Sequence, residues 1–379
     1  MRLLFNKQVI LEELFIARDI ISTKNITSIL SNVLMIVKEN KLVIKATDLK
    51  INFETQVSAQ IAESGSITLY CEKFIGILNS LPSGEIEICQ DQIDQDENKN
   101  DLSTTVIIRS ADKKIQFQMR SMLQEKFPEF YFEDDISYFE VVSKDLKEMI
   151  AQTSFAVSEE DTRYFMNGVF FEKKNNDLNL VATDGRRLSF ISKSILENVD
   201  DFPAAIVHPK ILNIILKCAP DEGTVSIAIT QKMIFFKFAN YRFAAVLLEG
   251  QFPNYARVIP KKQSFIFIVK RLDLIDALTK RIVLMVDKRI GRIYFDISSD
   301  VLKITAFQTE VGSAEEYIPC EFSGNPYVIA FNFRYIEEPL KVIKTESIAF
   351  EFTEDMKAVT MRPEPAKDYF HIIMPMQKE

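Results

Sequence analysis

One order of elements recurs three times along the 379 residues, and self-similarity of this kind predicts three copies of one structural unit. Each copy opens with a helical stretch: NKQVILEELFIARDIIS in the first, SKDLKEMIAQTSFAVS from Ser143 in the second, VKRLDLIDALTKRIVLM from Val269 in the third. In the first stretch Ile10, Leu14, Ala17 and Ile21 fall on one helix face, the pattern of a side buried against a core. A strand pair follows each time: KLVIKATDLKINFETQV from Lys41, DLNLVATDGRRLSFISK from Asp177, and DVLKITAFQTEVGSAEEYI from Asp300. A second helix then returns as CEKFIGILNSLPSGEIEI, HPKILNIILKCAPDEGTVSI and FNFRYIEEPLKVIKTESIAF. A turn leads from each second helix into closing strands. The first two copies close alike, on EKFPEF and GQFPNY, so Phe-Pro at 127 and again at 252 marks the boundaries. The reading is α+β: three similar domains, 1–126, 127–254 and 255–379, each with helices on one face of antiparallel sheet.

Composition narrows the function. Hydrophobic residues make up 47% and charged residues 26%, as in ordinary globular chains. No apolar run approaches the ~20 residues that a membrane helix needs, and MRLLFNKQVILEELF reads as an amphipathic helix rather than a signal peptide. Cys71, Cys89, Cys218 and Cys320 are far apart with no CxxC pair, which points away from disulfides and zinc and toward a cytoplasmic setting. The two histidines, His208 and His371, sit beside apolar residues at expected strand ends, and a His-based metal site or catalytic pair is disfavoured. No GxxxxGK[ST] or GxGxxG occurs, so no nucleotide cofactor is expected. A formal charge of −8 argues against gripping nucleic acid by bulk charge, although a basic lining on one face remains compatible with it.

The stretch VATDGRRLSF, Val181 to Phe190, holds the sharpest question. Asp-Gly between apolar alternations is a hairpin signal, because glycine accepts the positive φ of the turn. Asp184 is therefore read as a turn and hydrogen-bonding residue rather than a catalytic acid. The first copy has the matching Asp48 but continues Leu49-Lys50, and the third has Phe307-Gln308. Gly-Arg-Arg is thus not required by the shared fold, and a site is expected there. The acidic stretch DQIDQDENKNDLS, 91–103, breaks the repeat and reads as a long hairpin loop.

Taken in order, NGVFFE at Asn167, LVATDGRRLS at Leu180, FPNYARVIP at Phe252 and IIMPM at Ile372 resemble the bacterial sliding clamp family, the beta subunit of DNA polymerase III, over the whole chain. The resemblance implies a ring-forming DNA clamp fold: a head-to-tail homodimer that encircles duplex DNA and tethers the replicative DNA polymerase, with no enzymatic activity of its own. A clamp loader would open the ring. Short linear motifs of partners would enter an outer pocket between domains 2 and 3. By resemblance that pocket takes Met166 from the preceding strand, Thr183, Gly185, Arg186, Arg187 and Leu188 from the Asp-Gly loop, and Pro253, Arg257 and Val258 from the junction. Met356 and Ala358 follow, then Ile372, Ile373, Met374, Pro375 and Met376. Methionines suit a pocket that accepts several partners, and arginine heads would bond peptide carbonyls or carboxylates.

For DNA the resemblance points to Lys24, and the recurrent helices add Arg18, Lys73, Lys210, Lys217 and Lys280, with Tyr164 nearby. Lys147, Arg334, Lys341 and Lys344 share the same basic bias. Phe117 and Met119 would meet Val283 and Leu284 across the subunit joint; the alternative is that each fills its own domain core. Pro339 predicts a kink or a late start in the last helix. Two other readings remain: a repeat scaffold that binds peptides without encircling DNA, and an enzyme using Asp184 with Arg186 and Arg187 on a phosphate substrate. The second lacks a companion acid, metal-ligand set or nucleophile–base pair.

Overall fold

The computed structural model of the chain describes all residues except 22–27, 39–40, 95–102, 112–113, 134, 196–200, 288, 309–311, 354–356 and 378–379. Three of the helices begin at a side-chain cap, whereas those starting at Cys71 and Arg271 have none. Asn6 accepts the backbone N–H of Gln8 at 2.9 Å, and Asn332 accepts that of Arg334 at 3.1 Å. At Pro209, whose missing N–H costs nothing in a first turn, His208 Nδ1 accepts the N–H of Lys210 at 3.0 Å.

In chain order the first third contains β1 (Arg2–Asn6), α1 (Lys7–Ile20), β2 (Asn32–Lys38), β3 (Lys41–Thr47), β4 (Ile51–Ser58), β5 (Gln60–Glu63), β6 (Gly65–Tyr70), α2 (Cys71–Ser80), β7 (Glu85–Asp94), β8 (Ser103–Ser110) and β9 (Gln116–Met122). The second contains β10 (Phe139–Val142), α3 (Ser143–Thr153), β11 (Val169–Lys174), β12 (Asp177–Thr183), β13 (Arg187–Ser194), β14 (Ala205–Val207), α4 (Pro209–Cys218), β15 (Thr224–Ile229), β16 (Met233–Phe238) and β17 (Tyr241–Val246). The third contains β18 (Phe265–Lys270), α5 (Arg271–Asp276), β19 (Arg292–Ile297), β20 (Val301–Gln308), β21 (Gly312–Phe322), β22 (Tyr327–Asn332), α6 (Phe333–Val342), β23 (Ser347–Phe352), β24 (Val359–Glu364) and β25 (Tyr369–Ile373). The threefold order of the sequence is the order of the fold.

The chain divides into two compact units, 1–143 with 217–247 and 144–216 with 248–379. The first unit has a five-stranded sheet, β5-β1-β7-β8-β9, and an eight-stranded sheet, β10-β15-β16-β17-β4-β3-β2-β6. The second has one twelve-stranded sheet, β14-β11-β12-β13-β25-β24-β23-β18-β21-β20-β19-β22. All the pairings are antiparallel. In each unit the sheet passes from one third of the sequence to another through a single ladder. Tyr241 to Ala245 pair with Thr55 to Ile51 at β17–β4, and Arg187 to Ile191 pair with Ile373 to Tyr369 at β13–β25.

Helices pack on these sheets by the faces their spacing predicts. Ile10, Leu14 and Ala17 are fully buried on α1, as are Phe74 and Leu78 on α2 and Ile336 and Leu340 on α6. Burying each large side chain is worth roughly 1.5–3 kcal/mol.

Four expectations need correction. Residues 2–6 are strand, not helix, with Leu3 and Phe5 buried and their neighbours outward. A strand of this kind precedes every helix. Its apolar run merges with the helix pattern that follows, which hides it from periodicity. For the same reason the opening helix of the last third starts at Arg271, because Val269 and Lys270 end β18. It continues as a π turn, Ala277–Arg281, and a 3-10 turn, Ile282–Met285. Pro339 causes no late start: α6 begins at Phe333 and runs past the buried proline, whose ring falls in the second half. The strands β7 and β8 also extend through Asp94 and from Ser103, so part of the acidic stretch is strand, and 95–102 lies outside the described residues.

One buried acid sets a pH response. Glu13 on α1 is 5% exposed, and its Oε1 accepts from Asn240 Nδ2 at 3.2 Å and Tyr241 OH at 3.5 Å. Its Oε2 has no hydrogen-bond partner among the described residues. Burial raises its pKa, against smaller lowering by the Asn240, Thr55 and Tyr241 contacts. The folded state therefore holds this proton at pH values where the unfolded chain has released it, and stability from this group falls as pH rises through that window. Glu13→Gln removes the titration. Its melting temperature should gain on the parent as pH rises from 5 to 8; a pH-independent difference would contradict this role.

Candidate functional site

The Asp-Gly loop is built from its own side chains. Thr183 Oγ1 accepts the N–H of Gly185 at 3.1 Å and donates to Arg187 O at 2.6 Å. Asp184 Oδ1 accepts the N–H groups of Arg186 and Arg187 at 2.8 and 3.0 Å. The first copy repeats this construction. Thr47 Oγ1 accepts from Leu49 N at 2.9 Å, and Asp48 Oδ1 accepts from Lys50 and Ile51 N at 3.0 and 2.7 Å. Both loops need a positive φ at the following residue, 86° at Gly185 and 73° at Leu49. Asp184 is a turn residue, and the first copy bears the left-handed strain on a leucine at roughly 1–2 kcal/mol.

What differs is Arg187. Its Nε meets Asp184 Oδ2 at 3.0 Å, one Nη donates to Phe155 O at 2.7 Å, and the other meets the Glu338 carboxylate on α6. The guanidinium lies 4.7 Å from the Tyr335 ring centre and 5.6 Å from that of Phe155. A planar fork with five donors is the group that can serve three such acceptors at once. Of the two arginines expected to meet a peptide, Arg187 is held by internal contacts, while Arg186 is exposed. Behind it His371 is fully buried in mid-strand rather than at a strand end. Its Nδ1 is 2.9 Å from Ser189 Oγ, and burial, aided by the Arg187 charge, pushes its pKa down to about 3.

The apolar part assembles from the segments expected. Val181, Leu188, Ile206, Phe252 and Ile372 form a buried cluster, with Tyr255, Ile259, Ala358 and Phe370 against it. Phe252 stacks on Phe170 at 4.6 Å. Leu188 pairs with Ile372 and Arg187 with Ile373, and the N–H of Met374 donates to Arg186 O at 2.9 Å. Of the expected pocket residues, Met166, Thr183, Leu188, Ile372 and Ile373 are buried, and Leu188 and Ile372 share the apolar cluster. Gly185, Arg186, Arg257, Val258 and Met374 are exposed, and Pro253, Ala358, Pro375 and Met376 are half-buried. Met166 belongs to a 3-10 turn, Asp161–Met166, and not to a strand. Met376 is tied to β22 through its N–H on Ala330 O at 2.8 Å. Met356 lies outside the described residues.

Beside the loop is a cavity of about 740 Å³ whose walls include Phe155, Arg186, Arg187, Asn332, Tyr335 and Glu338. The sequence reading missed Tyr335 and Glu338. An aromatic and an acid one turn apart on the polar side of an amphipathic helix was the available signal.

The basic residues divide. Lys73 is exposed, Lys210 half-buried, and Arg18 half-buried with its guanidinium 5.0 Å over Phe15. Lys217 pairs with Asp19 at 2.8 Å, Lys280 with Asp276 at 2.9 Å and Lys341 with Glu337 at 2.8 Å, which reduces their net pull on an anion. Tyr164 is exposed, and Lys24 lies outside the described residues.

At the expected joint, Phe117 and Met119 are half-buried on β9, an edge strand. Leu284 is 72% exposed and does not fill its own core; Val283 is half-buried. Residues 312–319 of β21 pair with β20 on one side, whereas 320–322 pair with β18 on the other. Among the described residues no helix is long and apolar enough to cross a membrane, and no cluster of His, Cys, Asp and Glu is arranged to hold a metal ion.

Comparison with known proteins bears on all three thirds. Family models of the DNA polymerase III beta subunit match consecutively: the N-terminal domain over residues 1–130, the central domain over 140–254 and the C-terminal domain over 256–377. The beta sliding clamp of Treponema pallidum is 40% identical over 385 residues, covering 100% of both chains. That of Pseudomonas aeruginosa is 28% identical over 379 residues, again covering 100% of each. The crystal structure of the Pseudomonas aeruginosa DNA polymerase III subunit beta superimposes with a TM-score of 0.90 at 26% identity over 100% of both chains. The Bacillus subtilis DNA polymerase sliding clamp shares the fold, with a TM-score of 0.90. The chain belongs to the DNA polymerase III beta subunit family, the beta sliding clamps.

Proposed function

We propose that two copies of this chain join head to tail into a ring that encircles duplex DNA and tethers the replicative polymerase and other DNA-processing proteins. The observation that carries the assembly is the pair of open strand edges, on β9 and on the first part of β21. Unpaired edges invite pairing with another chain, and an interface between two different surfaces of one chain must close into a ring or grow without end. Phe117 and Met119 beside the first edge and Val283 and Leu284 near the second supply the apolar contact. The three domains are 1–126, 127–254 and 255–379. The chain acts by linkage rather than catalysis: both oxygens of Asp184 already serve its loop and Arg187, which leaves the phosphate-enzyme reading without its acid. With a net charge of −8, it contacts phosphates weakly through Arg18, Lys24, Lys73, Lys210, Lys217 and Lys280, with Tyr164 alongside. A clamp loader opens the ring in the cytoplasm.

Partners' short linear motifs bind over the buried Met166, Thr183, Leu188, Ile372 and Ile373. Gly185, Arg186, Pro253, Arg257, Val258, Ala358, Met374, Pro375 and Met376 form the walls. Arg187 is a positioning residue that fixes the loop carrying Arg186.

Two outcomes follow. Leu284 would be buried at both joints of a ring, and at roughly 2 kcal/mol each Leu284→Glu should weaken dimerisation about 1000-fold or more. Sedimentation should show a dimer for the parent and a monomer for the variant at micromolar concentration, with unchanged melting of the monomer fold. A monomeric parent would contradict the ring. Arg187→Lys keeps the charge but loses the fork. It should weaken a fluorescent partner peptide about tenfold, at the ~1.4 kcal/mol such a change represents, while leaving dimerisation intact; unchanged peptide affinity would remove Arg187 from the site.

A further inference from the structure

The seam between β13 and β25 carries charge that its counterpart in the first unit lacks. Arg187, Ser189, Ile191 and Lys193 alternate onto one face of β13, and Ile373, His371 and Tyr369 of β25 pair with the first three. In the first unit Ile51, Phe53 and Thr55 of β4 pair in the same way with Ala245, Phe243 and Tyr241 of β17. Counted from the matched aspartates, Asp184 and Asp48, Lys193 stands where the first unit has the buried Val57. Tyr369 and Tyr241 hold matching places in the two ladders, so Asp368 stands where the first unit has Asn240. The shared fold therefore does not require this lysine or this aspartate.

Lys193 Nζ lies 2.7 Å from Asp368 Oδ2, 2.8 Å from Glu148 Oε2 and 3.7 Å from Asp145 Oδ1, and its side chain is 16% exposed. Asp145 and Glu148 are on α3, and Asp368 ends the exposed turn 365–368 between β24 and β25. Burial alone would lower the lysine pKa, but hydrogen bonds to Asp368 and Glu148 outweigh it and leave the group charged. The N–H of Ser192 donates to Asp368 O at 3.0 Å and continues the ladder past Tyr369. One ammonium thus joins β13, α3 and the turn from which β25 starts. At the other end of the same ladder Arg187 pairs with Ile373, and Arg186 O accepts the N–H of Met374.

Register is what this tie can set. A slip of β25 by one residue would turn Ile372 out of the cluster it shares with Leu188 and Phe252. Bridging charges at a half-buried site typically adds little stability over an apolar residue such as Val57, but the bridge is satisfied in one register only. We propose that Lys193 is a positioning residue for the partner pocket: by tying Asp368 to α3 it fixes the register of β25 and so the places of Ile372, Ile373 and Met374. This role rests on the reading of that pocket as the binding site of linear motifs.

The test compares the full chain with Lys193→Met, Lys193→Arg and Asp368→Asn at a temperature where circular dichroism shows each folded. The probe is a fluorescent peptide that copies the linear motif of the cognate replicative polymerase. Lys193→Met keeps the apolar stem and should weaken the peptide about tenfold, whereas Lys193→Arg keeps the charge and should stay within about twofold of the parent. Asp368→Asn, at an exposed turn, should fall between them. Amide hydrogen exchange should quicken at Ser192 and along 369–374 in Lys193→Met, with residues 1–143 at the parent's rates. Salt at about 0.5 M screens the half-exposed carboxylates and should narrow the gap between parent and Lys193→Met. Equal peptide affinity in parent and Lys193→Met, an equal loss in Lys193→Arg, or a loss with unchanged exchange in β25 would overturn the positioning role. Should Lys193→Met fail to fold, parent-like affinity and exchange in Asp368→Asn would overturn it instead. A parent that binds no peptide would overturn the pocket reading itself, and this role with it.

Discussion

Strand pairing between different thirds of the sequence governs this molecule. At β17–β4 and at β13–β25 the backbone N–H and C=O groups of one third are satisfied by another. Those ladders turn sheets that would each expose two edges into longer ones. Several edges remain, and the edge on β9 and the one-sided stretch of β21 are those at which the proposed ring pairs with a second copy. Such a ring is built from repeated domains and from two edges that differ from each other. It also explains how an acidic chain can serve DNA. Topological linkage does not depend on the counterion release that drives ordinary DNA affinity, so a net charge of −8 is no obstacle and strong phosphate contacts would only slow sliding.

The same principle builds the site. The loop at Asp184 is a standard piece of the repeat, as the matching bonds of Asp48 demonstrate. The proposed site differs from the first copy in what the loop carries. Gly185 relieves the strain that the first copy bears at Leu49, and Arg187 stands where the first copy has the buried Ile51 and reaches Phe155 and Glu338. The C-terminal strand pairs with β13 next to that loop, so the exposed Met374 is held by its backbone on Arg186. A rigid, repeated scaffold thus positions a few exposed side chains over a buried apolar cluster.

Much of the fold was legible because helix faces and hairpins leave periodic signals. Ser143 as a helix start, the buried Ile10-Leu14-Ala17 face and the strand pairs at Lys41 and Asp177 all follow from spacing. The leading strands at Arg2 and Val269 were not legible, since a short apolar run abutting a helix has no period of its own. In the site, the turn role of Asp184 could be read locally. The engagement of Arg187 could not, because two of its partners lie 32 and 151 residues away and sequence spacing carries no information about them. Leu284 illustrates the converse: its apolar character was readable, but its exposure needed the structure.

The decisive measurement is retention on closed DNA. The protein is loaded by a competent clamp loader onto a nicked circular plasmid, the salt is raised, and the plasmid is then linearised. A ring held by topology stays on the circle at high salt and leaves when the ends are cut. Binding that disappears with salt on the circle itself, or that persists unchanged after linearisation, would contradict encirclement and leave a peptide-binding scaffold that does not enclose DNA.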